Sequence, residues 1–349
     1  MKKMQKKVFA VLFAAALLIG CVGCESEKAT AAPTGSGTPQ TVSPTEKATE
    51  KKTDAPTNAP TDTPTDAPTD APTEAPTDAP ETSKPYSDPN NGALADNGMY
   101  PNWAELPNKS IPYGNDWEIK EKNGIASGVL WYEAMYGKYD PVFRIKTNEK
   151  VIYLTMDEGY EAGYTPKILD ILKEKNVKAV FFITKQFFDS DPELIERMIA
   201  EGHTLGNHTC LHPSGGFPNY AEKNGFNTFA DDVAKLHKLI YDRFGYTMRL
   251  FRFPEGEFSE RTLAWLNNHD YTAVFWSYAH RDWVLNDQPP VETTLNRCLS
   301  HLAPGSVYLL HAVSSSNTEA LADFIDGARA AGYEFGVFPV DQVTSRAAG

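Results

Sequence analysis

Two histidines four residues apart, His208 and His212, and two adjacent carboxylates, Asp157 and Glu158, are the residues with the most chemistry to offer. On a helical turn, positions i and i+4 share one face, which suits two neutral nitrogen ligands for a divalent cation. A lone histidine pair more often caps a helix or decorates a surface. The carboxylates turn the reading towards a metal, because one can ligate while the other acts as a base. His311 ends the apolar run Tyr308-Leu-Leu-His311 and by itself reads as a core histidine held by a backbone carbonyl. Asp282 changes that reading, since a carboxylate partner raises a histidine's pKa and lets it serve as a general acid. Together these parts describe metal-assisted hydrolysis. A metal binds water and polarises a carbonyl, a carboxylate takes the proton, and an imidazolium protonates the leaving amine.

Groups so far apart in sequence need a scaffold that brings them to one rim. From Val151 onward, short apolar runs alternate with helix-start signals. Residues 151–156 read as a strand, and Thr165-Pro166, a capping residue before a first-turn proline, opens a helix to about Lys175. Residues 178–183 read as a strand, and Asp191-Pro192 repeats the start signal. A short strand precedes Asn207, and Thr228 caps a helix to about Phe244. Further strands are expected at 250–253, 271–276, 306–310 and 333–337. The helices between them begin at the cap Ser259, run over 291–302, and extend from the cap Asn317 to about Ala331. Some seven strand-then-helix units predict an α/β protein with a mainly parallel sheet. The count fits a closed or nearly closed barrel better than an open sheet. Asp157, Glu158, His208, His212, Arg252, Asp282 and His311 all fall at or just after strand ends, where such barrels hold their active sites.

These residues, in this order, resemble the NodB-homology polysaccharide deacetylases, carbohydrate esterase family 4, over residues 151–338. Thr155-Met-Asp157-Glu158-Gly159 is similar to the first family motif, Thr-Phe-Asp-Asp. His208-Thr-Cys-Leu-His212 matches the second, Arg252-Phe-Pro254-Glu-Gly256 the third, and Asp282-Trp283 and Leu309-Leu310-His311 the fourth and fifth. The resemblance implies a distorted (β/α)7 barrel. It also implies roles: Asp157 as general base, and His208 and His212 as metal ligands. Arg252 would keep Asp157 charged, Pro254, Gly256 and Trp283 would shape the groove, and Asp282 would orient His311, the general acid. The stretch Asp157-Glu-Gly-Tyr160-Glu161-Ala-Gly163-Tyr164-Thr-Pro166 further resembles the subfamily that makes muramic δ-lactam in spore peptidoglycan. So do Phe275-Trp276-Ser277, Leu310-His311-Ala-Val-Ser314 and the kind of extension found over 108–143. That subfamily deacetylates N-acetylmuramic acid lacking its peptide, with lactam closure following. Position 158 departs from the pattern: the broad family has Asp there and the lactam subfamily Asn, and the extra methylene of Glu moves the ligand oxygen. The expected cofactor is a divalent metal, Zn first and Co or Mn next, held by His208, His212 and Glu158. An N-acetylglucosamine or chitooligosaccharide deacetylase is the alternative enzyme. A wall-binding lipoprotein without turnover is a third reading, supported by Glu158 alone.

The rest of the chain concerns delivery. Lysines among the first seven residues precede an apolar run from Val8 to Ile19, too short to span a bilayer comfortably, so residues 1–24 read as a secretion signal. Leu18-Ile-Gly-Cys21 resembles a bacterial lipobox, which implies a lipid-modified Cys21, with Cys24 the weaker alternative. Residues 25–88 recur as Thr-Asp-Ala-Pro variants without large apolar side chains, so nothing offsets the entropy of ordering them. They read as an extended stalk, able to reach roughly 200 Å. Residues 89–145 form an aromatic extension without a clear period, and 146–349 the deacetylase domain. Cys210 and Cys298 leave room for one disulfide at most. The formal net charge is −13, which leaves no electrostatic footprint for nucleic acid. The expected partners are therefore peptidoglycan or a related N-acetylated glycan and, through the anchor, the membrane. The expected location is outside the cytoplasm, reaching into the cell wall.

Overall fold

The computed structural model describes residues 90–114 and 124–345. The expected signal, Cys21, Cys24 and the expected stalk lie outside the described residues. In chain order the regular elements begin with β1 (Ile111–Pro112) and α1 (Ser127–Tyr136). The repeating part follows as β2 (Val151–Glu158), α2 (Thr165–Glu174), β3 (Ala179–Ile183), α3 (Lys185–Ser190), α4 (Pro192–Ala200) and β4 (Thr204–Asn207). It continues through α5 (Gly216–Asn224), α6 (Asn227–Phe244), β5 (Leu250–Phe251), β6 (Glu257–Phe258), α7 (Glu260–Asn268), β7 (Thr272–Ala273) and β8 (Tyr278–Ala279). The last elements are α8 (Val291–Ser300), β9 (Val307–His311), α9 (Ser315–Ala330), β10 (Glu334–Phe335) and α10 (Val340–Thr344).

The main sheet runs in the order β7-β5-β4-β3-β2-β9-β8, every pairing is parallel, and β10 also pairs with β2. It curls into a distorted (β/α)7 barrel, the architecture expected from the alternation. Parallel strands covered on both faces need continuous apolar runs, and β2 is buried at every residue after Val151. Alternate side chains face the interior, where Tyr153, Val180, Phe182, Leu250, Val274 and Val307 form one cluster. A larger cluster, including Leu154, Met156, Phe181, Ile183 and Leu205, packs outward against Ile168, Leu169 and Leu172 of α2 and its neighbouring helices. Gly206 makes the interior packing feasible: a Cβ there would stand 2.4 Å from the Phe182 ring.

Several local expectations change in the folded chain. Thr165 does not cap α2; Tyr164 occupies the N-cap, and the Thr165 hydroxyl instead donates to Glu158 Oε2 at 3.3 Å. Thr228 lies inside α6, and α9 is capped by Ser314, whose hydroxyl accepts from the Asn317 amide, not by Asn317. Ser259 does cap α7, in a reciprocal capping box with Thr262. The expected strands over 250–253, 271–276 and 333–337 shrink to two paired residues each, because the strongly curled sheet keeps few ladder bonds there. The extension contributes to the barrel wall itself. Val142 bridges in parallel to Val274, and Arg144 bridges to Ser306. Both cysteines of the body are free.

Candidate active site

Asp157 and His311 are register partners on the adjacent strands β2 and β9. Parallel neighbours point in-register side chains to the same face, so a carboxylate and an imidazole meet at the barrel mouth. Arg252, fully buried, reaches up beneath them. Its Nη1 donates to Asp157 Oδ1 at 2.8 Å, its Nε to the Val274 carbonyl at 3.1 Å and its Nη2 to the Phe275 carbonyl at 3.0 Å. The guanidinium lies 4.1 Å over the Phe182 ring. Burial on its own would raise the Asp157 carboxyl, but the Arg252 charge, with His208 and His311, outweighs it and holds Asp157 below its ordinary value. Oδ1 is occupied by the guanidinium, which leaves Oδ2 as the oxygen that can take a proton.

The imidazole of His311 is fixed from behind. Asp282, fully buried, accepts from His311 Nδ1 at 2.7 Å through Oδ1 and from the His311 backbone amide at 2.9 Å through Oδ2. Asn317 donates a further hydrogen bond to Oδ2. Gln288 holds the same loop by donating to the Asp282 carbonyl at 2.6 Å while accepting from Ser314 Oγ at 2.5 Å. Burial pushes the His311 imidazole down, but the charge and hydrogen bond of Asp282 more than reverse it, and its pKa is raised. Burial likewise works against the Asp282 carboxylate, and His311 overrides it, so Asp282 stays ionised. With Nδ1 held by Asp282, Nε2 carries the proton available for transfer.

His208 and His212 come together, but not on a helical turn as expected. Residues 208–212 are a loop in which Thr209 (φ 78°) and His212 (φ 42°) take left-handed backbone. Their rings pack edge to face with centroids 4.9 Å apart. The loop is pinned by Asp232, which accepts from the amides of Cys210 (2.7 Å) and Leu211 (3.0 Å). His208 pairs Nδ1 with the Arg252 carbonyl at 2.9 Å, so that nitrogen carries the hydrogen and Nε2 keeps its lone pair, 3.5 Å from Asp157 Oδ2. Burial lowers its pKa to about 4, outweighing the Asp157 charge, which works the other way. A neutral imidazole with its tautomer set by a second partner is what a metal requires, so the two histidines fit a divalent cation.

Glu158 does not fit as their third partner. It follows Asp157 on the same strand and therefore faces the opposite way. Its side chain is fully buried outside the cleft, with Oε2 on Thr165 and Oε1 without a hydrogen-bond partner. Burial and the nearby Glu161 charge push its pKa well up. Among the described residues, no three His, Cys, Asp or Glu side chains stand ready to share one metal.

The cleft over these groups has a volume of about 1050 Å³. Trp283, half exposed, stands on its wall with its ring 5.5 Å from that of His311. Pro254 and Gly256 are buried behind the wall, while Phe253 and Glu255 face the cleft. Gly256 (φ 71°) has no room for a Cβ, which would meet the Trp276 ring at 3.0 Å, and Glu255 is itself left-handed (φ 56°). Strained backbone gathered at one rim is a mark of functional sites. Tyr113, Tyr160, His280 and Arg281 also line the cleft. Sequence reasoning passed over Tyr113 because the extension has no period. His280 and Arg281 had a signal, their place beside Asp282 at a strand end.

The family model of the polysaccharide deacetylases matches residues 144–274. The chain is 37% identical over 231 residues to the peptidoglycan-N-acetylmuramic acid deacetylase PdaA of Bacillus subtilis, covering 66% of this chain and 85% of that protein. It is 32% identical over 222 residues to a peptidoglycan-N-acetylglucosamine deacetylase of Bacillus cereus, covering 63% and 76%. The solved structure of B. subtilis PdaA, a family 4 carbohydrate esterase, superposes with a TM-score of 0.60 at 35% identity, covering 66% of this chain and 95% of that one. A family 4 carbohydrate esterase from Bacillus anthracis superposes with a TM-score of 0.53 at 36% identity, covering 66% and 95%.

Proposed function

This chain belongs to the polysaccharide deacetylases, carbohydrate esterase family 4, and from that premise we propose that it removes acetyl from N-acetylmuramic acid in peptidoglycan. The observation that carries the chemistry is the pairing of Asp157, kept ionised by Arg252, with His311, kept protonated by Asp282, on neighbouring strand ends of one cleft. Asp157 Oδ2 takes a proton from water as its oxygen adds to the acetamide carbon. His311 Nε2 then gives its proton to the amide nitrogen as the carbon–nitrogen bond breaks, leaving acetate and a free amine on the sugar. General acid and base steps each contribute about 10²–10⁴-fold. His208 and His212 would hold a divalent cation, zinc in first place. Bound there, such a cation polarises the acetamide carbonyl and acidifies water. Trp283 offers a face for the sugar.

The muramic substrate is supported by the likeness to a relative named for that activity and by the run from Asp157 to Pro166. The freed amine of a peptide-free muramic residue lies beside the lactyl carboxylate, which makes the muramic δ-lactam the downstream product this reading favours. The B. cereus relative supports a second reading, deacetylation of N-acetylglucosamine. We place the enzyme outside the cytoplasm, anchored through a lipid on Cys21 and lifted by the stalk, on the sequence pattern of residues 1–88. The test is acetate release from purified peptidoglycan, followed by identifying which amino sugar is freed. Wild type should release acetate in a chelator-sensitive manner, and Asp157→Asn and His311→Ala should lose at least about 100-fold each while remaining folded. Wild-type-like release by either variant would falsify the mechanism.

A further inference from the structure

Positive charge is scarce where the glycan must lie. Arg281 is the only Lys or Arg among the described residues lining the cleft. Arg252 lies beneath the floor, fully buried and bonded to Asp157 and two backbone carbonyls. Arg281 directly precedes Asp282, whose carboxylate grips His311 Nδ1 at 2.7 Å. One backbone segment therefore anchors the general acid with one side chain and sends a guanidinium into the cleft with the one before it. The Arg281 side chain is 56% exposed and pairs with Asp287, itself 66% exposed and in the same loop. An ion pair this open to water is weak, so another carboxylate can take the place of Asp287. A guanidinium is also the side chain best shaped to take a carboxylate with two parallel hydrogen bonds.

The chemistry of the two candidate sugars supplies the ligand. Both carry the scissile acetamide on C2. On the adjacent C3 oxygen, muramic acid bears a lactyl ether ending in a carboxylate, whereas glucosamine bears only a hydroxyl. When a stem peptide is attached, that carboxylate becomes a neutral amide. A cation beside the groups that process the acetamide can read the difference, and His311 is already committed, through Nδ1 to Asp282 and through Nε2 to the leaving nitrogen. We infer that Arg281 binds the free lactyl carboxylate and thereby selects peptide-free N-acetylmuramic acid, with Asp287 holding the guanidinium until substrate displaces it. The inference rests on the proposed muramic activity and adds the residue that decides it.

The test compares KM and kcat for wild type, Arg281→Gln, Arg281→Lys and Asp287→Asn. Two muramic glycans serve as substrates, one with a free lactyl carboxylate and one with it amidated. Wild type should bind the free acid better than the amide. Arg281→Gln should raise KM for the free acid about 10- to 100-fold, the scale of a lost charge-assisted hydrogen bond, so that the free-to-amidated KM ratio collapses towards one. Arg281→Lys should fall between, and Asp287→Asn should lower KM for the free acid. If Arg281→Gln leaves the ratio as in wild type, or raises both KM values equally, the inference is overturned while the muramic activity stands. If wild type releases no acetate from either muramic glycan but deacetylates an N-acetylglucosamine oligomer, the proposed activity itself fails, and the assignment of Arg281 fails with it.

Discussion

His311 shows how neighbours decide what a side chain does. Burial by itself would lower the pKa of this imidazole, and Asp282 raises it above the ordinary value. The sign of the pH dependence follows. A histidine whose folded pKa is raised keeps its proton to higher pH, and both its service as an acid and its contribution to stability are lost as pH rises through that folded pKa. The alkaline limb of kcat should therefore lie above 6.5, the ordinary histidine value. Asp282→Asn should draw that limb downward and lower kcat. A pH–rate profile of both proteins, collected on one substrate, checks this; an alkaline limb unmoved by the substitution would remove Asp282 from its role. Glu158 is the opposite case. Its neighbour Asp157 is held ionised by a guanidinium, whereas Glu158, one residue on and facing the other way, has only Thr165 and a nearby like charge. Adjacency in sequence made the two look like one carboxylate pair, and the alternation of the strand separates them.

At the scale of elements, the site depends on how α9 begins. Ser314 caps it by accepting from the Asn317 amide and reaches across to Gln288, while the Asn317 side chain, freed from capping, supports Asp282. Ser314→Ala should therefore cost about 1–2 kcal/mol, the range for a lost N-cap with a second hydrogen bond. Denaturant unfolding measures the loss, and Ser259→Ala in the α7 capping box is a comparison expected to cost about 1 kcal/mol. Ser314→Ala should also lower kcat, because Gln288 and Asn317 both grip the Asp282 loop, whereas Ser259→Ala should not. Equal kinetic effects of the two substitutions would argue against this coupling. The loop carrying His208 and His212 makes a related point. Left-handed residues and the carboxylate of Asp232 bring the rings together without any helix.

For the whole molecule, the extension is part of the barrel. Val142 and Arg144 bridge to Val274, just after β7, and to Ser306, just before β9, and Tyr113 sits in a cluster of aromatic rings with Phe143, Phe275 and Trp276. Delivery is a matter for the other end of the chain. If Cys21 carries the lipid, Cys21→Ser should shift the protein from the membrane fraction to the medium, since two acyl chains anchor stably where one is marginal. Fractionation of cells expressing each form reads this directly. A Cys21→Ser protein that stays as firmly in the membrane as wild type would point to Cys24.

The alternation of strand and helix, the barrel and the rim holding Asp157, Arg252, Asp282 and His311 were legible from sequence alone. Each rests on local periodicity or on strand-end placement, which a parallel α/β barrel converts directly into position. The cap at Ser259 was legible for the same reason, and the structure adds its reciprocal bond with Thr262 three residues on. What the sequence could not decide depended on which way side chains turn and on which distant groups meet. The helical reading of His208 and His212 failed because φ > 0 at Thr209 and His212 is imposed by packing around Asp232. Metal ligation by Glu158 had its spacing in favour, but facing depends on where the strand ends and what lies behind it. Here that is Thr165, which the same tertiary contact draws away from the cap expected of it. The mixed roles of Ser314 and Asn317 likewise needed Asp282, 35 residues before Asn317, to compete for the Asn317 side chain. Local chemistry follows from spacing in the sequence; the choice between competing partners is made by long-range packing, which brings some within hydrogen-bonding reach and leaves others facing away.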